Sequence, residues 1–204
     1  MSPDSVTVSR ETKAKFDAYE ALLRKWQTAV NLVSPDTLPN AMERHILDSA
    51  QLTPLIPSAA KTLFDLGSGA GFPGLVLAMT RPDLAVHLVE SDSKKCSFLK
   101  TVSRETSTPV TVHTARIEGL DYDILPIPDV ITARALASLA KLFAYVLPWA
   151  ERNPELVLVF AKGAQAADEI KEALGAGFTF EVEKQPSQTS PEGAILVISG
   201  LQKA

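Results

Sequence analysis

Apolar residues in the first thirty positions recur at spacings of three and four: Phe16, Tyr19, Leu22, Leu23, Trp26 and Val30. That period lays them along one face of a helix. "SPDTLP" (residues 34–39) interrupts it, and "NAMERHILDSAQLTPLI" (residues 40–56) predicts a second helical stretch, stopped near Pro54 and Pro57. Beyond residue 58 the rhythm changes. Short apolar runs predict buried strands: "KTLFDL" (61–66), "LAVHLVE" (84–90), "PVTVHTA" (109–115), "PDVITAR" (128–134) and "ELVLVFAK" (155–162). Between them "FPGLVLAMT", "SKKCSFLKTVSRET" and "LASLAKLFAYVLPWA" predict helices, and "AADEIKEALGAG" follows the fifth strand. Pro73 suits the first turn of its helix. Such alternation implies right-handed crossovers and a parallel sheet with helices on both faces. The ending departs from it. "FTFEVEKQ" and "AILVISG" flank a turn-rich "PSQTSPEG" with no helix between, which predicts an antiparallel hairpin. The expectation is an α/β chain with a helical element over residues 1–58. Residues 59–204 then form a mostly parallel seven-stranded sheet closed by the hairpin.

A chain of 204 residues suits one full-sized domain with a small appendage. With 46% hydrophobic and 22% charged residues it buries an ample core. No run approaches the roughly 18 apolar residues that cross a bilayer. The polar start "MSPDSVTVSRETKAKF" carries no apolar signal region. Cys96 is the only cysteine, which excludes an internal disulfide framework and a cysteine-rich metal site. Among Phe98 and Leu99 it reads as a buried thiol. His45, His87 and His113 lack ligand spacing, so no metal is expected. A cytoplasmic monomer without a membrane partner is the resulting expectation.

The net charge of −4 argues against a general nucleic-acid coat protein. Residues 91–116 differ, holding Lys94, Lys95, Lys100, Arg104 and Arg116 against Asp92 and Glu105, five minus two, a local excess of +3. That patch reads either as a phosphate-binding surface or as a solvated helix face.

The chemistry concentrates in "FDLGSGAGFPGLVLA" (residues 64–78), where Gly67, Gly69, Gly71 and Gly74 crowd between a strand and a helix. Missing Cβ atoms let the backbone approach a ligand, and the helix start offers unpaired N–H groups. No Gly-Lys-Ser/Thr follows, which excludes a Walker loop. Two readings fit. Gly69, Gly71 and Gly74 satisfy the dinucleotide fingerprint, with Glu90 some twenty residues on for a ribose. Asp65, Gly67, Gly69 and Gly71 equally give D-x-G-x-G-x-G, which resembles the first motif of S-adenosylmethionine (SAM)-dependent methyltransferases. There too an acid ending the second strand takes the ribose hydroxyls. Three features favour SAM. Little chain remains for a dehydrogenase's substrate domain. The terminal hairpin resembles the last strands of the methyltransferase sheet. Helices precede the first strand, where these enzymes often recognise substrate. An NAD(P)-binding oxidoreductase, or a methyltransferase acting on another substrate, stays as the alternative.

Further stretches resemble one family. "NLVS" (31–34), "ERHILDS" (43–49), "ARIEGL" (115–120), "ITARALASL" (131–139) and "FAKG" (160–163) join the glycine loop. Together they are similar to the bacterial small-subunit rRNA guanine-N7 methyltransferases (RsmG, also called GidB), over nearly the whole chain. The resemblance implies a class I, Rossmann-like fold with SAM as methyl donor. It implies N7 of a guanine in the 530 loop of 16S rRNA as acceptor, and so 16S rRNA or the small ribosomal subunit as partner. By matching position it implies cofactor contacts from Gly67, Phe72, Ile117, Glu118 and Arg134. Glu90 joins them from the ribose argument, and Gly69 from its central place in the loop. The family often carries a basic residue just before the last strand, where this chain has "EGAILVIS".

Guanine N7 has an in-plane lone pair and no proton, so its methylation needs no general base. No catalytic residue is assigned. Arg134, Lys162, Arg44 and Asn31 are the substrate-side candidates. Three have a plainer reading: a loop ion pair for Arg134, an i,i+4 pair with Asp48 for Arg44, and a helix-end tie for Asn31. His45 reads as a capping or packing residue and Trp26 as core, while Trp149 is open.

Overall fold

The computed structural model describes residues 8–204, so the first seven positions of the polar N-terminus lie outside the described residues. All seven expected strands form: β1 (Thr62–Leu66), β2 (Ala85–Glu90), β3 (Thr111–Thr114), β4 (Val130–Arg134), β5 (Val157–Lys162), β6 (Phe178–Pro186) and β7 (Ala194–Lys203). They make one sheet in the order β3-β2-β1-β4-β5-β7-β6. The first five are mutually parallel, and β7 runs antiparallel to both β5 and β6. Strand order turns back between β1 and β4. Crossovers leave to opposite faces there and open a crevice at the carboxyl ends of the strands.

Helix α1 (Arg10–Gln27) begins at Ser9, whose side chain accepts the Thr12 N–H. The expected second helical stretch forms, continuous over residues 41–50 but irregular. It runs through a π-helical stretch (Met42–Leu47) into the single turn α2 (Asp48–Ala50), with 3₁₀ turns before it (Pro35–Asn40) and after it (Thr53–Leu55). Pro39 and Pro54, which lack an amide donor, lie on either side of it. The later helices match the pattern: α3 (Gly74–Thr80), α4 (Ser93–Glu105), α5 (Leu139–Ala150) and α6 (Ala166–Gly175).

Alternate strand residues feed two buried clusters. Leu63, Val130 and Val159 pack with α1, α3 and α4 through Phe16, Leu75 and Phe98. Phe64, Ile131 and Leu158 pack with α5 and α6 through Phe143, Trp149 and Ala173. Residues before β1 thus share their cluster with one face of the sheet. Trp26 lies partly buried, its ring 5.7 Å from that of Phe98. Trp149 is wholly buried against Phe64 and Tyr122. Cys96 is buried, its Sγ 3.3 Å from the Glu90 carbonyl oxygen.

Candidate active site

The glycine loop leaves β1 with three residues in left-handed backbone: Gly67 (φ +64°), Gly69 (+56°) and Gly71 (+97°). Its glycines serve different ends. A Cβ on Gly71 would stand 2.5 Å from Leu75 Cδ1 and 2.7 Å from the Tyr19 hydroxyl, and one on Gly74 would meet Leu88 and Asp65. These two permit close packing. A Cβ on Gly69 would meet only the Gly67 carbonyl, at 3.9 Å, so its free side faces open space.

Four contacts hold the loop. Ser68 N–H donates to the Val89 carbonyl (3.0 Å), and Gly69 N–H to Glu90 Oε2 (2.9 Å). Gly74 N–H donates to Asp65 Oδ2 (3.2 Å), and the Tyr19 hydroxyl, from α1, donates to the Ala70 carbonyl. Asp65 is fully buried and also accepts from Thr132 Oγ1 at 2.8 Å. Burial raises its carboxyl to about 6, against the pull of the Thr132 and Gly74 hydrogen bonds and the Arg134 charge. The same burial pushes the Tyr19 phenol well up.

In front of the loop lies a cleft of about 480 Å³ lined by Gly67, Gly69, Phe72, Glu90, Ile117, Glu118 and Arg134. The structure therefore brings all seven expected cofactor residues together. Glu90 Oε1 accepts the Asp92 N–H at 2.8 Å. Each Glu90 oxygen so far takes one backbone donor and keeps a lone pair, which suits a pair of ribose hydroxyls. With the open face of Gly69, this donor set fits an adenosine-containing cofactor. Glu118 Oε1 accepts the Tyr145 hydroxyl at 2.7 Å, which holds its carboxyl below the usual range. Tyr145 lines the same cleft. Its place on a helix face carries no signal in the sequence that would have singled it out.

A second cleft, of about 420 Å³, adjoins the first. Arg44, Asp48, Lys162 and Glu169 line it with the hairpin hydroxyls of Ser187 and Thr189. Arg134, Ala135 and Ala137 line both clefts. Ala135 has φ +51°, a left-handed backbone held by a non-glycine residue in the shared wall. Arg134 Nη1 donates to Asp48 Oδ2 (2.9 Å), Nη2 reaches His45 Nδ1 (3.2 Å), and the guanidinium lies 5.2 Å from the Phe72 ring centroid. Asp48 pairs with Arg134, and no Arg44–Asp48 ion pair forms. Arginine only donates, so His45 Nδ1 accepts and the Nε2–H donates to Thr37 Oγ1 at 2.8 Å. Burial first, then the Arg134 charge, lowers the His45 imidazole to about 4.

Gln51, buried and unremarked in the sequence, ties the hairpin to this wall. Its Oε1 accepts the Gln188 N–H (2.7 Å), and its Nε2 donates to Asp48 Oδ1 (2.9 Å). Lys162 Nζ donates to Glu169 Oε2 and to the Ala137 carbonyl, both at 2.7 Å. Asn31 does not line either cleft. Its Oδ1 accepts from Gln27 at 3.4 Å, just past the end of α1. Lys94 is exposed, whereas Lys95 lines the first cleft. Among the described residues no group of three or more His, Cys, Asp or Glu side chains could hold a metal, and no helix is long and apolar enough to cross a membrane.

A family model described as GidB, rRNA small subunit methyltransferase G, matches residues 12–193. The ribosomal RNA small subunit methyltransferase G of Parvibaculum lavamentivorans is 48% identical over 197 residues, covering 95% of this chain and 85% of that protein. Its counterpart in Rhodospirillum rubrum is 44% identical over 209 residues, the full length of both. Two solved structures share the architecture. The ribosomal protein L11 methylase from Lactobacillus delbrueckii subsp. bulgaricus has a TM-score of 0.58 at 14% identity, over 77% of this chain and 78% of that one. The O-methyltransferase TomG from Streptomyces achromogenes, solved in complex with SAM, has a TM-score of 0.58 at 13% identity, over 95% and 91%. The fold is that of the class I SAM-dependent methyltransferases, and the chain belongs to the GidB family, rRNA small subunit methyltransferase G.

Proposed function

We propose that this chain transfers a methyl group from SAM to N7 of a guanine in the 530 loop of 16S rRNA. The observation that carries this reading is the meeting of two clefts at residues 134–137. One has the glycine cradle and ribose-facing acid of a nucleoside site. The other is lined by Arg44, Arg134 and Lys162, cations suited to a base and its flanking phosphates. Bound SAM supplies an electrophilic methyl group on a sulfonium. The chain's own task is alignment, which suffices for a nucleophile that has no proton to lose. In this reading Glu90 takes the ribose hydroxyls and Gly69 gives the ligand room along the loop, while Gly67, with Leu136 packed where a Cβ would stand, makes the turn. Phe72 and Ile117 would provide apolar walls for the cofactor, and Glu118, oriented by Tyr145, would offer an acceptor to one of its polar groups. Arg134 does a further job. A guanidinium donating to N7 would occupy the attacking lone pair. Asp48 and His45 engage its Nη1 and Nη2 donors, which keeps those N–H groups from N7. Arg44 and Lys162 act on the RNA side, and Asn31 steadies the end of α1. The enzyme works as a cytoplasmic monomer on 16S rRNA or on the assembled subunit.

Calorimetric titration with SAM, S-adenosylhomocysteine and NAD tests the cofactor, with binding of the first two and not NAD expected. Incubation with SAM and small subunits lacking the modification, followed by borohydride reduction of N7-methylguanine and aniline cleavage at the abasic site it leaves, tests the acceptor. A strand break confined to the 530 loop is the expected result. NAD binding, or methyl transfer with no such break, overturns the reading.

A further inference from the structure

We infer that Lys162 and Glu169 together read the O6/N1–H edge of the target guanine and so reject adenine. The inference rests on the guanine-N7 reading above and assigns the base specificity within it.

Lys162 ends β5 and Glu169 sits on α6, and both line the second cleft. Their side chains are 8% and 19% exposed, so the pair is largely withdrawn from water. Two of the three ammonium N–H groups are spent, on Ala137 O and Glu169 Oε2. The third has no partner among the described residues. Glu169 Oε2 is doubly engaged, accepting from Lys162 and from the Leu139 N–H at the start of α5 (2.7 Å). Oε1 of the same carboxylate has no partner among the described residues. A fixed donor and a fixed acceptor therefore stand side by side at the cleft wall. Guanine offers the complement on adjacent atoms, an acceptor at O6 and a donor at N1–H. Adenine offers the reverse order, an amino donor and an N1 acceptor.

Position supports the match. O6 and N7 are neighbours on the guanine ring system, so the group that holds O6 must stand beside the point of methyl transfer. Lys162 does, because the carbonyl that anchors it belongs to Ala137, which lines both clefts. The anchoring of Glu169 to α5 fixes the pair before any base arrives.

The test replaces the target guanine in an RNA substrate with inosine or with 2-aminopurine, both of which retain N7. Inosine keeps O6 and N1–H, while 2-aminopurine has neither. Methylation of inosine within about tenfold of guanine in kcat/KM, and of 2-aminopurine at least about 100-fold slower, is expected. In Glu169→Gln the amide oxygen stays on the Leu139 N–H and turns an NH2 donor toward N1–H. The guanine to 2-aminopurine ratio should then shrink at least about tenfold with SAM affinity unchanged. That comparison removes any intrinsic difference in N7 reactivity between the bases. Equal rates on guanine and 2-aminopurine in the unaltered enzyme, loss of inosine methylation, or an unchanged ratio in the variant overturns the assignment. A pair that merely braces α5 and α6 predicts the unchanged ratio. Absence of methylation on guanine itself overturns the guanine-N7 reading instead.

Discussion

Arg134 and Asp48 lie 86 residues apart in sequence, and their side chains meet at 2.9 Å across the wall shared by the two clefts. The bond holds the guanidinium beside the His45 ring. Replacing Asp48 with Asn removes the charge-assisted part of the contact, a term of roughly 1.5–3 kcal/mol. Asp48→Asn is expected to lower kcat by about tenfold or more, because the freed guanidinium can then compete for N7. Single-turnover methylation at saturating SAM checks this, and an undiminished rate removes Asp48 from the orienting role.

His45 makes the same network sensitive to pH. Its imidazole titrates near 4 instead of 6.5, so between those values the unfolded chain binds the extra proton and the folded one does not. The stabilisation is full above about 6.5 and is lost as pH falls toward 4. His87, also lowered to about 4 by burial, adds to the same trend. Imidazole NMR separates the two residues. His45 is expected to titrate near 4, and its midpoint should move up, though not fully to 6.5, in Arg134→Gln. A midpoint of 6.5 in the unaltered protein contradicts the buried, neutral ring.

Glu90 is the residue for which binding and loop geometry are hardest to separate, since it accepts the Gly69 and Asp92 amides as well as facing the cofactor cleft. Glu90→Ala is expected to weaken SAM binding by about tenfold or more. Glu90→Gln, with one oxygen left for the Gly69 amide, should recover part of that loss. Calorimetry on both variants decides it, with unchanged affinity in Glu90→Ala as the contrary result.

Two loop glycines should fail differently. At Gly69 a side chain has room but a disfavoured backbone angle, and it projects into open space beside the cofactor cleft. Gly69→Val is therefore expected to remain folded and lose SAM binding. At Gly71 even a methyl group meets Leu75 and the Tyr19 hydroxyl. Gly71→Ala should cost roughly 1–3 kcal/mol of stability from overpacking. Thermal melts with and without SAM distinguish the two, and normal SAM binding by Gly69→Val refutes the placement of the loop.

The basic patch of residues 91–116 divides in the structure. Lys94 is exposed at the start of α4, whereas Lys95 borders the cofactor cleft, so removing both would confound RNA with SAM. Lys94→Ala alone is expected to flatten the dependence of log RNA affinity on log salt by about 0.7, with SAM affinity intact. An unaltered slope moves the RNA contact to the face around Arg44.

The inner parallel strands were legible because a strand covered on both faces must be an apolar run, whereas the edge strand β3 (Thr111–Thr114) is only part-buried. Leu63, Phe64 and Leu66 illustrate such a run, alternating between the two buried clusters. Of the residues lining the first cleft, Gly69 and Glu90 were legible from the glycine loop and the strand end beside it, and Gly67, Phe72, Ile117, Glu118 and Arg134 only through the family resemblance. Residues 40–56 were legible as helical, but the π-helical stretch within them was not, since it has no period of its own to detect. The substrate-side wall was hidden for another reason. Gln51 meets Gln188, and Asp48 meets Arg134, across long separations that no local pattern encodes. Asp48 was visible only as a possible helical neighbour of Arg44.

The Tyr19 hydroxyl, from a helix that precedes the whole sheet, holds the Ala70 carbonyl in the middle of the glycine loop. The segment that looks most like an interchangeable RNA-reading attachment is thus a brace behind the methyl-donor site. Grafting it from a relative with other RNA preferences would alter donor affinity along with target choice, unless the phenol and its packing against Phe72 travelled with the graft.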